Sequence, residues 1–245
     1  ILTDGTSHNF ALNFQLSRSS IDNPIYTRRG SQFTLGLKIT PPYSLIKGTT
    51  DAQYEQMTTT EKYHLLEYHK WKFSGKVFTP LSADSKLVLM ARAEFGYLGH
   101  YNKNAKSPFE SYYMGGDGMS SYSSYSTEYI AMRGYQSGSL TPYDPATGRN
   151  MGYVYNKFSM ELRYPIALEQ NATIWALAFV EAGNCFADIK DYNPFNLKRS
   201  AGVGVRLFLP MFGLMGIDWG WGFDPINGST QYGGSQFHFV LGQEL

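Results

Sequence analysis

Along most of the chain, apolar and polar residues alternate with a period of two. Phe10, Leu12, Phe14 and Leu16 oppose Asn9, Asn13, Gln15 and Ser17, and Trp71, Phe73 and Val77 oppose Lys70, Lys72, Ser74 and Lys76. The same rhythm recurs over residues 33–40, 87–97, 157–164, 200–207, 215–223 and 236–241. Successive side chains of a strand point to opposite faces, so each run predicts a strand with one apolar and one polar face. Residues 173–183 are apolar on both faces except for Glu181. The reading gives about nine antiparallel strands of roughly 9 to 13 residues, longer than the usual five or six and matched to a tilted bilayer crossing.

Alternation alone leaves the solvent on each side open, because a soluble sandwich alternates too. Two further patterns point to a membrane barrel. Aromatic residues such as Tyr97, Tyr164, Phe208 and Phe223 stand near predicted strand ends, where barrels place interfacial girdles. Short turns (79–86, 165–171, 209–213) also alternate with longer connections (43–63, 100–152, 184–198), as in outer-membrane barrels.

Composition agrees with that picture. Aromatic residues make up 16% of the chain and charged residues only 17%, against about 25% charged in a typical soluble domain. A net charge of +1 gives no electrostatic reason to expect a nucleic-acid partner. The single cysteine, Cys185, excludes an intramolecular disulfide and multi-cysteine metal sites, and reads as a small residue at a strand end. The most apolar stretch, 207–217, is broken by Pro210, Gly213 and Gly216, so a membrane role requires strands rather than a helix. An odd strand count and a start at Ile1 without a leader lead us to expect the C-terminal part of a larger barrel, since bacterial single-chain barrels have even counts.

The connection 100–152 is long enough to be functional. It holds Met114-Gly-Gly-Asp-Gly-Met119, a Ser/Tyr-rich run, and Met132-Arg133-Gly134-Tyr135. A Gly-Gly pair followed by Arg-Gly-aromatic resembles the loop of the BamA family of outer-membrane assembly factors that folds back into the barrel lumen, with Met132 where that family most often has Val or Ile. Other segments resemble the family in the same order along the chain. They are Asp22 to Gly30, Phe158 to Pro165, Phe179-Val-Glu-Ala-Gly-Asn184 with Glu181 in place of Asp, Ser200 to Gly204, and Leu209-Pro210.

The resemblance covers essentially all of residues 1–245. It implies an all-β fold: an antiparallel transmembrane β-barrel domain, of which this chain supplies about nine C-terminal strands of sixteen, with 100–152 as a lumen-folded loop. It further implies a place in the bacterial outer membrane as the central subunit that folds and inserts barrel proteins through a lateral seam. The partners would be outer-membrane lipids, unfolded outer-membrane clients and accessory assembly subunits, with no cofactor and no enzymatic activity.

An arginine inside a lumen needs a partner, and its planar fork suits carboxylates. By the resemblance, Arg133 pins the loop to the inner wall through Glu161, Glu181 or both. The plainer alternative is a solvated arginine, with those carboxylates neutralised by water, Lys157 or Arg163. At the C-terminus, Tyr232, Gly234, Phe237 and Phe239 fit the β-signal by which outer-membrane proteins are recognised, although Leu245 is not the usual terminal aromatic. Glycines at 233, 234 and 242 would weaken packing at an openable seam, or simply mark a bend.

Competing chemistry is thin. His8, His64, His69, His100 and His238 are scattered, and neither Gly-x-Ser-x-Gly, His-Glu-x-x-His nor a phosphate-binding loop occurs. The alternatives are a two-partner secretion transporter of the same superfamily and a passive porin. The sequons at Asn171 and Asn227 read as turn residues.

Overall fold

The computed structural model describes residues 5–119, 127–145, 148–169 and 171–242. In chain order its elements are β1 (Leu12–Ser19), β2 (Gly30–Ile39), short helices α1 (Tyr43–Lys47), α2 (Asp51–Gln56) and α3 (Thr59–Lys62), β3 (His69–Pro80) and β4 (Val88–Gly99). The short strands β5 (Tyr112–Met114), β6 (Glu128–Ile130), β7 (Tyr143–Asp144) and β8 (Arg149–Asn150) lie within the long connection. Then follow β9 (Val154–Leu168), β10 (Thr173–Phe186), β11 (Lys198–Leu209), β12 (Gly213–Pro225) and β13 (Tyr232–Leu241). Nine of these form one sheet, ordered β1-β2-β3-β4-β9-β10-β11-β12-β13, and each pair is antiparallel. The sheet is not closed. No helix among the described residues is long and apolar enough to cross a membrane.

The alternating runs fall in this sheet, the first from Leu12 rather than Asn9; β1 is exposed on both faces, whereas over β9 to β13 burial separates the faces as predicted. Phe158, Met160, Leu162, Val203, Ile217, Trp221 and Phe239 are exposed on the outer face, while Ser159, Glu161, Arg163, Arg206, Asp218 and His238 are buried on the inner one. Two local readings need correction. Strand β9 runs through Pro165 to Leu168, so the turn there is shorter than 165–171 and Tyr164 stands within the strand. The ladder jumps from Ile174↔Ala167 to Trp175↔Pro165, a bulge that accommodates a residue unable to donate. The connection 43–63 is also not plain loop: Thr50 with Gln53, and Thr58 with Glu61, form capping boxes that start α2 and α3.

The inner face is layered. At the short-turn end, Tyr26, Phe78, Val88, Met90, Trp175, Leu177 and Phe179 make an apolar floor. Its keystone is the turn between β1 and β2, where the Asp22 carboxylate accepts the Arg28 and Arg29 amides at 2.9 and 3.2 Å. Asn23 accepts those of Ile25 and Tyr26 at 2.8 and 3.1 Å. So braced, Tyr26 turns inward, donates to the Lys86 carbonyl at 2.9 Å and meets Trp175 edge-on. At the opposite end the long connection packs a second cluster, including Tyr112, Met114, Ile130, Met132, Tyr135, Tyr155 and Cys185, onto the sheet. That buried strand-end place for Cys185 matches its sequence reading. A belt of buried charge lies between the two layers.

Candidate functional site

The belt is organised by the long connection. Met132 and Gly116 pair as a β-bridge, and the Gly116 amide donates to the Tyr135 carbonyl at 3.0 Å, so the Met114-Gly-Gly and Met132-Arg-Gly-Tyr segments lie side by side. The Ser/Tyr-rich run at 120–126 lies outside the described residues. This pairing delivers Arg133 to the inner face with no exposed surface.

Both proposed acids receive it. One Arg133 Nη donates to Glu161 at 2.7 Å and to Glu181 at 2.8 Å, Nε donates to Glu181 at 3.1 Å, and the Arg133 amide donates to the other Glu181 oxygen at 2.9 Å. A third acid, Asp218 on β12, accepts from the second Nη at 3.3 Å. The guanidinium also lies 3.6 Å above the Phe179 ring, a cation–π contact in which the floor bears on the anchor. Burial alone would lower the Arg133 pKa, but Glu181, Glu161 and Asp218 outweigh it and keep the side chain charged.

Each acid also has its own cation on the wall. Lys157 pairs with Glu181 at 3.1 Å, Arg163 with Glu161 at 2.7 Å and Arg206 with Asp218 at 2.6 Å. The solvated arginine of the plainer alternative is not found, since Arg133 is fully buried, but its Lys157 and Arg163 do pair with the two glutamates alongside Arg133.

Gly134 settles the loop tip against bare strand. Its amide donates to His238 Nε2 at 2.9 Å, which places that ring's proton on Nδ1. A methyl group at Gly222 or Gly233 would sit 2.4 or 2.5 Å from the Gly134 carbonyl oxygen, and one at Gly220 would sit 2.8 Å from its nitrogen. Tyr135 then donates to the Arg199 carbonyl at 2.8 Å. Of the C-terminal residues, Tyr232, Phe237 and Phe239 point to the exposed outer face and do not approach Arg133. Gly234 has φ +67° beside the register shift between Gly222 and Pro225, so it marks a bulge, whereas Gly233 is required by the loop's close approach.

The sequence reading missed Asp218, Arg206, Phe179 and His238 as parts of this site. A signal existed for Asp218, the lone acid on a face otherwise made of Gly216, Gly220 and Gly222. Chemically, the site binds one loop to five strands, β9 to β13. Its carboxylates each face two cations or more.

The profile of the Omp85 superfamily domain matches residues 2–245. The chain belongs to the Omp85 superfamily. Among solved structures, this Omp85 chain is similar to BamA from Haemophilus ducreyi lacking POTRA domains 1–3, with 17% identity and a TM-score of 0.64. The match covers 94% of this chain and 42% of that one, so the chain spans less than half the length of that protein. Its fold is that of a BamA-like barrel domain. None of the curated proteins matches the sequence.

Proposed function

We propose that this Omp85 domain belongs to the central subunit of an outer-membrane assembly machine, which folds and inserts barrel proteins into the bacterial outer membrane. The observation that carries the reading is the buried Arg133 anchor, a loop held in one place on the inner wall by three carboxylates. An exposed apolar outer face, bearing Trp219, Trp221, Phe237 and Phe239, suits lipid. In this reading β13 lines a lateral seam whose backbone edge templates an incoming client strand by β-augmentation. Unfolded outer-membrane proteins are then the clients, accessory assembly subunits the partners, and client folding the source of free energy. The domain works without cofactor or enzymatic step.

Depletion of the protein in its own host tests this. Levels of unrelated outer-membrane barrels should fall together. Unchanged levels, with loss of one secreted partner, would instead identify a two-partner secretion transporter. Unchanged levels with altered solute uptake would identify a porin.

A further inference from the structure

The Arg133 anchor leaves unused a second cluster of charge on the other side of the long connection. Lys38 on β2 stands opposite Lys70 on β3, and Lys72 follows on the same inner face. Three cations so close repel one another unless acids stand between them, and the loop supplies two. Glu110 pairs with Lys38 and, at 3.4 Å, with Lys70. Glu128 pairs with Lys70 at 3.0 Å and Lys72 at 2.5 Å. The β5–β6 pairing brings these acids together, with the Glu128 amide donating to the Ser111 carbonyl at 2.9 Å. Lys70 also donates to the Glu110 carbonyl at 2.9 Å and lies 4.8 Å from the centre of the Tyr112 ring.

Glu110 is held at φ +67°, a left-handed conformation that a residue with a Cβ adopts only when its surroundings impose it. Both oxygens of its carboxylate and its carbonyl are engaged by lysines there. The two attachments have opposite polarity: the loop offers acids to β2 and β3, and a cation to β9, β10 and β12. They are also unequal. Arg133 is fully buried, whereas in the clasp Lys70 and Glu110 are 5% and 13% exposed and Glu128 and Lys72 26% and 46%, the last two lining a cavity of about 290 Å³.

We propose that Glu110 and Glu128 are positioning residues that form a salt-sensitive clasp. It holds the outer half of the long connection to β2 and β3 and releases first, while the Arg133 anchor stays closed. The inference does not depend on which client or cargo the protein handles, since its test reads loop position alone.

Cys185, a native buried thiol, reports on the clasp without an engineered cysteine. It lies in the cluster with Tyr112, Met114 and Ile130, the segments the clasp holds down. The full-length protein is treated with N-ethylmaleimide at neutral pH, and labelling of Cys185 is read by peptide mass spectrometry. Going from about 0.05 to 1 M NaCl shortens the screening length to about 3 Å, so wild-type labelling should quicken at least about fivefold. The Gly134 amide should keep its hydrogen-exchange protection in the same samples. Glu110→Gln with Glu128→Gln should label fast at both salts. Wild-type labelling indifferent to salt would overturn the proposal even if the variant failed to fold. Protection of the folded double variant equal to wild type would also overturn it, as would loss of Gly134 protection at the same salt concentration that exposes Cys185.

Discussion

Replacing Arg133 by methionine should free the loop and leave the wall nearly intact. Four cations, Arg133, Lys157, Arg163 and Arg206, face three carboxylates in the belt, and each carboxylate keeps a wall cation within 3.1 Å when Arg133 is removed. Methionine retains bulk over the Phe179 ring but loses the charge-assisted bonds, each worth about 1.5–3 kcal/mol net. Losing even about 3 kcal/mol of docking, the upper value for a single such bond, raises the undocked population more than a hundredfold. Glu181→Gln acts differently. It removes the carboxylate of Lys157 and one of the three that hold Arg133, and weakens the bond to the Arg133 amide, leaving buried positive charge uncompensated at a cost of about 3–5 kcal/mol.

Two measurements on the full-length protein separate these effects: hydrogen exchange of the Gly134 amide for docking, and the temperature at which the folded barrel loses its fast mobility on a gel for the wall. Arg133→Met should strip that amide of protection and move the melting temperature little; Glu181→Gln should change both. Equal melting losses in the two variants would refute the idea that the wall neutralises itself.

Gly222→Ala should cost about 1–3 kcal/mol and loosen the loop, since the added methyl meets backbone that cannot swing aside, while Gly36→Ala, whose methyl would find ordinary contacts at 3.8 Å, should be near neutral in the same melting assay. Burial pushes the Glu128 carboxyl up, but Lys70 and Lys72 outweigh it and hold it below its ordinary 4.5. Its contribution is therefore complete above that value and lost as pH falls through the lower, folded-state one. Amide exchange around Tyr112 and Glu128, corrected for intrinsic rate, should stay protected down to about pH 4.5 and lose protection below it; a flat profile would refute the assignment.

The strands were legible because a sheet with lipid-like outer and polar inner faces writes its geometry into every second residue. The two-sided apolar run of β10 also had a readable cause once the floor was visible: Trp175 and Phe179 point inward because Tyr26 and Arg133 cover them. Arg133 with Glu161 and Glu181 was accessible through resemblance, since no local periodicity ties residues 28 and 48 positions apart. His238 escaped for the same reason, as did the pairing of Glu110 and Glu128 with three lysines on other strands, whereas Asp218 could have been found as the lone acid among inward glycines. Helices α2 and α3 could have been found, because Thr-x-x-Gln and Thr-x-x-Glu are local signals.

The glycines beneath the loop tip have a mechanical side. Over 220–222 of β12 the wall has side chains on its outer face only, with Trp219, Trp221 and Phe223 outward and glycine inward. Elsewhere a strand is stiffened by what stands on both of its own faces; here the inner lining is borrowed, from the backbone of Gly134 and the rings of Tyr135 and Phe179. A strand with glycine along one face has no side chains there to pack and bends easily. The docked loop then acts as a splint across the last strands, and their stiffness is set by whether that splint is in place.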